Sequence, residues 1–507
     1  MNEGGKSDGR VVPAKPANKA ARAAAESVEG RRPAEGSTAS KTRPGRRAGH
    51  GAPSALDRVR EVARRDKEAR FTALLHHVDL DRLRAAYWAL SPKAAPGVDG
   101  VRWTAWGQDL EANLHDLHRR LHAGRYRARP SRRAYIPKAD GRLRPLGIAT
   151  VTDRVVQAAL KLVLEPIFEA DFLPCSYGFR PNRRAHDAVG EVRLLTSCSY
   201  EWVVEGDIKA CFDEISHSAL MGRVRHRIGD KRVLALIKAF LKAGILGEDR
   251  LRRETSTGTP QGSILSPLLS NVALSVLDEH IAQRPGGPQA GRVERAKRRR
   301  HGQPNYQLVR YADDWCLVVH GTRDDAEALR EEIAGVLSTM GLRLSQEKTL
   351  ITHIDQGLDF LGWHIQRHRK RGASRDYVYT YPARKALRAV MDKVKTLCRR
   401  TGPDLPLDTL LIQLNRILRG WCAYFRPGVS SATFHYLSHY TWRQVMGWLR
   451  RKHRRTTWKT LRRRHNVGGG RWWPASEHRV LFNPATVSTT RYRYRGRAIP
   501  SPWPATG

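Results

Sequence analysis

The chain is short of acid. Asp and Glu number 49 against 91 Lys and Arg in 507 residues, which leaves a net charge of +42 and a pI near 10.8. Such an excess asks for a polyanionic partner. Long apolar runs are missing too. No stretch reaches the ~20 residues that cross a bilayer, and no signal peptide opens the chain. Nucleic acid therefore fits the charge better than a membrane surface, although a basic ribosomal-type binder would fit it equally well. Cysteine is scarce. Cys175, Cys198, Cys211, Cys316, Cys398 and Cys422 form no CxxC pair and no compact set with histidine at zinc-finger spacing. Scattered thiols in a chain this long predict a reducing cytosolic compartment, no disulfide framework and no structural zinc.

What is present supports a core. The hydrophobic fraction is 40%, and the length allows about three domains at ~150 residues each. Residues 1–55 are Ala, Gly, Pro, Ser and Arg without hydrophobic periodicity, and are expected to be a disordered basic tail. Leu74, Leu75, Val78, Leu80, Leu83 and Tyr87 have roughly helical spacing. Residues 134–148 read as a hairpin turning at Asp140-Gly141. Residues 202–207 read as a short strand ending in an acid. Residues 266–282 read as a helix with Ser266 as N-cap and Pro267 at its first position. Residues 284–304, which hold Lys297-Arg298-Arg299-Arg300, read as a loop. Two apolar strands, 306–311 and 315–319, flank an acidic turn. From about 383 the pattern is helical, with Leu407, Leu410, Leu414, Ile417, Trp421 and Tyr424 on one face and Phe434, Leu437, Val445 and Trp448 on another. Gly468-Gly469-Gly470 reads as a flexible joint before a basic, aromatic end.

Two acidic clusters stand far apart: Asp207 in EGDIKACFD, and Asp313-Asp314 in RYADDW. Each ends an apolar strand, so adjacent strands could bring the three carboxylates together. Two unit charges ~4 Å apart repel by about 4 kcal/mol at an effective dielectric of ~20. Oxygen-rich carboxylate sites suit Mg²⁺, and a pair of such ions can drive phosphoryl transfer. Asp207 alone is equally well a turn aspartate. Asp-Asp between two buried strands is harder to read that way, because an exposed hairpin turn favours Asn-Gly or Asp-Gly.

With YADD between apolar strands, the chain resembles the group II intron reverse transcriptase/maturases. The matching stretches run in the family's order: APGVDGV (95–101), IPKADGRLRPLGI (136–148), TDRVVQ (152–157), LEPIFE (164–169), SYGFRPNRRAHDA (176–188), GDIKACFDEISH (206–217), GTPQGSILSPLLSN (258–271), RYADDW (310–315), SQEKT (345–349) and FLGW (360–363). The resemblance implies metal binding and catalysis by Asp207, Asp313 and Asp314, with Mg²⁺ as cofactor. It implies nucleotide contacts from Lys138 and Arg144, as a clamp on the triphosphate, and from Phe212, as a bulky ring that would clash with a ribose 2′-OH. It adds Gln261 near nucleotide and template, and Lys348 as a proton donor to pyrophosphate. Taken singly, Phe212 reads as core packing, Gln261 as part of a loop, and Lys138, Arg144 and Lys348 as surface charge. LNRILRGWCAYFRPG (414–428) resembles the maturase region, domain X, and implies RNA contacts from Arg416, Arg419, Arg450, Arg451, Arg454 and Arg455.

The chain departs from the family pattern at Trp315, where Phe is usual, at Cys211, and at Ala149 after PLGI. Residues 456–507 hold no cysteine, so no HNH-type endonuclease is recognisable there. The expected fold is α+β, a right-hand polymerase: fingers and palm over 56–380, a helical thumb with domain X over 381–455, and a short basic region over 456–507 that contacts DNA or RNA. The expected function is RNA-templated DNA synthesis for a group II intron, together with assistance to splicing and support for mobility. The expected partners are intron RNA, a DNA target and primer, and deoxynucleotides, with no membrane, in a bacterial cytoplasm near the nucleoid. Two rival readings are a splicing-only maturase and a domesticated or defence-associated reverse transcriptase.

Overall fold

The computed structural model describes residues 55–137, 143–246, 252–253, 257–369, 372, 374–466 and 472–503. The basic tail, the Asp140-Gly141 turn and the triple glycine lie outside the described residues. Helices and sheets are mixed throughout, which makes the protein α+β. The chain divides into two compact units. One comprises described residues 55–195, 199–351 and 495–503; the other comprises 352–494 with Thr196–Cys198.

The first unit is built on a four-stranded sheet. Its order is Asn305–Tyr311, Asp314–His320, Trp202–Asp207, Leu350–His353, the last being the strand along which the chain passes out of this unit. In the two central strands, side chains of both alternating sets are buried, so both faces are covered. That explains the unbroken apolar runs at Val203-Val204 and Leu317-Val318-Val319. Gly206 pairs with Trp315 in register. A Cβ on Gly206 would sit 1.8 Å from the Trp315 ring. The glycine before Asp207 is thus required by the indole, which is 1% exposed.

A second sheet in this unit pairs Ser131–Pro137 antiparallel with Leu143–Ile148, bearing out the hairpin, and adds Ile245–Leu246 and Arg252–Arg253. Helix Val151–Asp171 is capped by the Thr150 side chain, and most of its N-terminal two-thirds is buried. Three readings change. The stretch from Leu74 to Tyr87 breaks into a 3₁₀ turn, Leu75–His77, and a helix, Leu80–Ala89, because Asp79 caps the second. Helix Ser266–Gln283 takes Leu265 as N-cap; Ser266 is inside it and donates to Pro260 O at 2.8 Å. The 284–304 segment contains a helix, Arg292–Arg300.

The second unit carries an antiparallel three-stranded sheet, Leu358–Phe360, Trp363–Arg369 and Asp376–Pro382. It continues as helices Arg384–Arg400, Leu407–Phe425, Ser431–Lys452 and Trp458–Arg464. Leu407, Leu410, Leu414, Leu437, Val445 and Trp448 enter their shared core as the periodicity predicts, but Leu418 is buried there while Ile417, Trp421 and Tyr424 are only half-buried, so the buried face of that helix is rotated by about one residue.

Candidate active site

The acids meet through strand register. Trp202–Asp207 runs antiparallel to Asp314–His320, and Asp207 falls directly opposite Asp314. Asp314 also pairs with Tyr311, which leaves Ala312-Asp313 as a two-residue hairpin loop. Side chains opposite each other on antiparallel strands have Cβ atoms ~4.5–5.5 Å apart. Asp207 and Asp314 are therefore neighbours, with Asp313 at the adjoining tip.

The tip is strained. Ala312 has φ of +58°, a position that hairpins of this length normally give to glycine. Three segments hold it: the strand of Arg310, the helix of Asn271 and Asp278, and the stretch from Ser176 to Gly178. Arg310 Nη1 donates to Ala312 O at 3.1 Å. The same side chain, wholly buried, grips Asp278 at 2.7 and 2.6 Å, Asn271 Oδ1 at 2.9 Å and Ser176 Oγ at 2.9 Å. Burial opposes the Arg310 charge, but the Asp278 carboxylate more than offsets this and raises its pKa above the usual guanidinium value. Gly178 then lies on the turn itself, where a Cβ would come within 2.3 Å of Ala312 N. Asn271 Nδ2 fixes Gly178 O at 2.9 Å. Sequence reasoning passed over Arg310, Asp278, Asn271 and Ser176. The available signal was an arginine inside an apolar strand and two polar residues at i and i+7 on an otherwise buried helix.

Lys348 is beside Asp207. Its Nζ lies 3.2 Å from Asp207 Oδ2. Ser345 N donates to Asp207 O at 2.8 Å, so the SQEKT turn is fastened to the strand that carries the acid. Phe212 is half-buried in a one-turn helix, Cys211–Glu214. The Phe179 ring meets it edge-on at 6.4 Å. Thr259 N donates to Phe212 O at 2.6 Å, joining GTPQG to this turn. Gln261 Nε2 donates to Asp213 Oδ2 at 3.1 Å, and Gln261 O accepts from Gly147 N at 2.7 Å. The glycines here admit the protein's own backbone. A Cβ on Gly258 would come within 2.7 Å of Asp213 O, and one on Gly262 within 2.8 Å of Gly147 O. Both glycines have positive φ. Arg144 is half-buried on the hairpin strand opposite Ile136, and Lys138 lies outside the described residues.

Among the described residues, no three Asp, Glu, His or Cys side chains are already gathered about one point. The donors are nonetheless all carboxylate oxygens, the set that hard divalent cations prefer.

In the second unit, Arg416, Arg419, Arg450, Arg451, Arg454 and Arg455 are exposed. Arg419 lies over the Phe482 ring and Arg450 over Trp458, at 5.4 and 5.1 Å. Arg451 donates to Cys398 O. Three of the six thus have partners within their own unit.

Paired aspartates at the end of a sheet are the donor set with which metal-dependent phosphoryl transfer can be carried out. Residues 136–365 match the family described as reverse transcriptase (RNA-dependent DNA polymerase), and residues 387–466 match the group II intron, maturase-specific domain. Protein YkfC of Escherichia coli is 42% identical over 322 residues, covering 60% of this chain and 84% of that protein. The group II intron-encoded protein LtrA of Lactococcus lactis is 29% identical over 485 residues, covering 82% of this chain and 80% of LtrA. A putative COX1/OXI3 intron 1 protein of Saccharomyces cerevisiae is 31% identical, covering 57% of this chain and 38% of that protein. The chain belongs to the group II intron reverse transcriptase/maturases, RNA-directed DNA polymerases that also assist splicing.

Proposed function

We propose that this protein extends a DNA primer on an RNA template at Asp207, Asp313 and Asp314, and that it binds the group II intron RNA whose splicing it assists. The observation that carries the polymerase reading is the register of Asp207 opposite Asp314, with Asp313 in the strained turn between strands. These three carboxylates would hold Mg²⁺. When bound, Mg²⁺ lowers the pKa of the attacking hydroxyl and neutralises charge on the phosphates.

The protein's own side chains do the rest. The Phe212 ring, backed by Phe179, occupies the space where a 2′-OH would lie and so selects deoxynucleotides. Gln261 is oriented by Asp213 and faces nucleotide and template. Arg144, with Lys138, binds the triphosphate. Lys348 holds a proton beside Asp207 and delivers it to the departing pyrophosphate. Fingers and palm are assigned to residues 56–380 and a helical thumb with domain X to residues 381–455, the parts of a right-hand polymerase. The exposed arginines of the second unit contact intron RNA phosphates. DNA copies made this way support intron mobility at a DNA target, in a bacterial cytoplasm near the nucleoid.

Primer extension on an RNA template, with Mg²⁺ varied, tests this. Asp313→Asn removes one ligand charge from a half-buried turn and should abolish synthesis while the melting temperature stays close to the parent's. Near-normal extension by that variant would remove the site assignment.

A further inference from the structure

Helix Arg292–Arg300, RVERAKRRR, is out of keeping with the rest of its unit. None of its nine residues is buried, and Val293 is 79% exposed. It contributes nothing to the core, so packing of an apolar face does not account for its formation. It is held by polar tethers. Arg298 Nε and Nη2 donate to Pro304 O at 3.2 and 3.0 Å, and Arg295 Nη1 to Pro288 O at 3.3 Å. Asn305 Nδ2 donates to Arg295 O at 3.0 Å. The basic residues are therefore divided. Arg295 and Arg298 face inward and fasten the helix, while Arg292, Lys297, Arg299 and Arg300 are exposed. Among the described residues none of these four makes an ion pair.

Helix electrostatics explain part of this. Cations in the last turn are favoured by the macrodipole, each by about 0.3–1 kcal/mol. Lys297 and Arg300, three apart, offset that by a few tenths, and Arg292 sits at the unfavourable end. Four exposed cations on a tethered helix whose single acid is Glu294 are what a polyphosphate surface complements.

Position sets this surface apart from the polymerase centre. The helix leads into Asn305, the far end of the strand whose near end, Tyr311, adjoins Ala312-Asp313. Six residue steps at ~3.4 Å place it about 20 Å from that turn. The phosphates it meets are not those of the incoming nucleotide. Beside Arg299 is a cleft of about 230 Å³, also lined by Ser199, Glu201, Gln303 and His320. His320 Nδ1 already meets Ser199 O at 2.7 Å, and the Gln303 amide is a group of the kind that recognises a ribose 2′-OH, which distinguishes RNA from DNA.

We infer that Arg292–Arg300 and the adjoining cleft form a second RNA-docking surface, which binds a folded segment of the intron RNA remote from the template–primer. This rests on the intron-binding reading above. The test uses the full-length protein, its intron RNA and a generic RNA template with DNA primer. Lys297→Gln/Arg299→Gln/Arg300→Gln should weaken intron RNA binding roughly tenfold near 0.15 M salt. The salt slope should become shallower by roughly 0.7–0.9 for each phosphate no longer neutralised. Binding and extension of the generic template–primer should stay at the parent level. Arg299→Lys/Arg300→Lys keeps the charge and should retain intron binding, which separates electrostatics from helix integrity. Hydroxyl-radical footprinting should show one protected intron segment disappearing in the Gln variant alone. An unchanged slope and footprint, or an equal loss of template–primer binding, would overturn the inference. If the unmodified protein does not prefer its intron to unrelated structured RNA, it is the intron-binding reading that fails.

Discussion

Arg310 and Asp278 form a bidentate ion pair with neither side chain exposed, and the same guanidinium holds the carbonyl of Ala312 in the Ala312-Asp313 turn. Removing one partner of such a pair leaves an uncompensated buried charge, at a cost of about 3–5 kcal/mol. Asp278→Ala should therefore lower stability by that amount, read from denaturant unfolding. Arg310→Lys is the more informative change. It keeps the charge but cannot reach Asp278, Asn271, Ser176 and Ala312 together. The expected result is a folded protein with reduced kcat and a nearly unchanged KM for deoxynucleotide, because the turn is misplaced while nucleotide contacts remain. A rise in KM at constant kcat would show that the network does not act through the acids.

Phe212→Ala should relax sugar discrimination by about ten- to hundredfold. Phe179→Leu, which removes the edge-on support at 6.4 Å, should give a smaller change in the same direction. Single-nucleotide incorporation with matched ribo- and deoxynucleotides measures both. Unchanged ratios would return Phe212 to core packing.

Splicing and polymerisation should separate. Asp313→Asn alters the acid turn and leaves the exposed arginines of the second unit in place, so it should splice without polymerising. Arg454→Ala/Arg455→Ala leaves the acids untouched and should weaken intron binding more than primer extension. Arg451 should contribute less to RNA binding than these two, because it already donates to Cys398 O. If the folded Asp313→Asn protein loses splicing as fully as synthesis, the division between the two activities is wrong.

Asp230 should govern acid stability. It is buried and accepts from the backbone N–H groups of Leu74, Leu75, Arg232 and Val233 at 2.8, 2.9, 2.9 and 3.3 Å. Burial pushes its pKa up, but these donors together pull it below the usual carboxylate range. A folded-state pKa below the unfolded value gives stability that is fully present above the unfolded value, near 4, and is lost as pH falls through the folded one. Asp230→Asn should cost about 2–3 kcal/mol at pH 7. The gap between parent and variant should narrow in urea melts below pH 4. A gap that is constant with pH would show that the charge is not what the site uses.

Some features were fixed by local sequence. The strands around 202–207, 305–311 and 314–320, the 131–148 hairpin, the helices of the maturase region and the candidacy of the three aspartates follow from periodicity, turn residues and motif order. These depend on neighbours in the chain, and each is legible there. The strands at 350–353 and 358–382 were not read. The Arg292–Arg300 helix escaped because it buries nothing, so it leaves no apolar period to read. The N-cap at Leu265 escaped because Ser266 hydrogen-bonds to Pro260 O instead of capping the helix. Tertiary structure alone decided the rest. Sheet order brings Asp207 opposite Asp314 across more than a hundred residues of chain, and the paired backbones set that register. In sequence Arg310 is an arginine inside an apolar strand, with nothing local to show what receives its charge. It is a buried anchor because Asp278, Asn271 and Ser176, on two other segments, converge on it. Gly178 and Gly206 look like ordinary flexible positions. Each is required because a distant backbone or ring occupies the space where its Cβ would be. A guanidinium can lie in a core only where the fold has first assembled its acceptors, and no local pattern encodes that assembly.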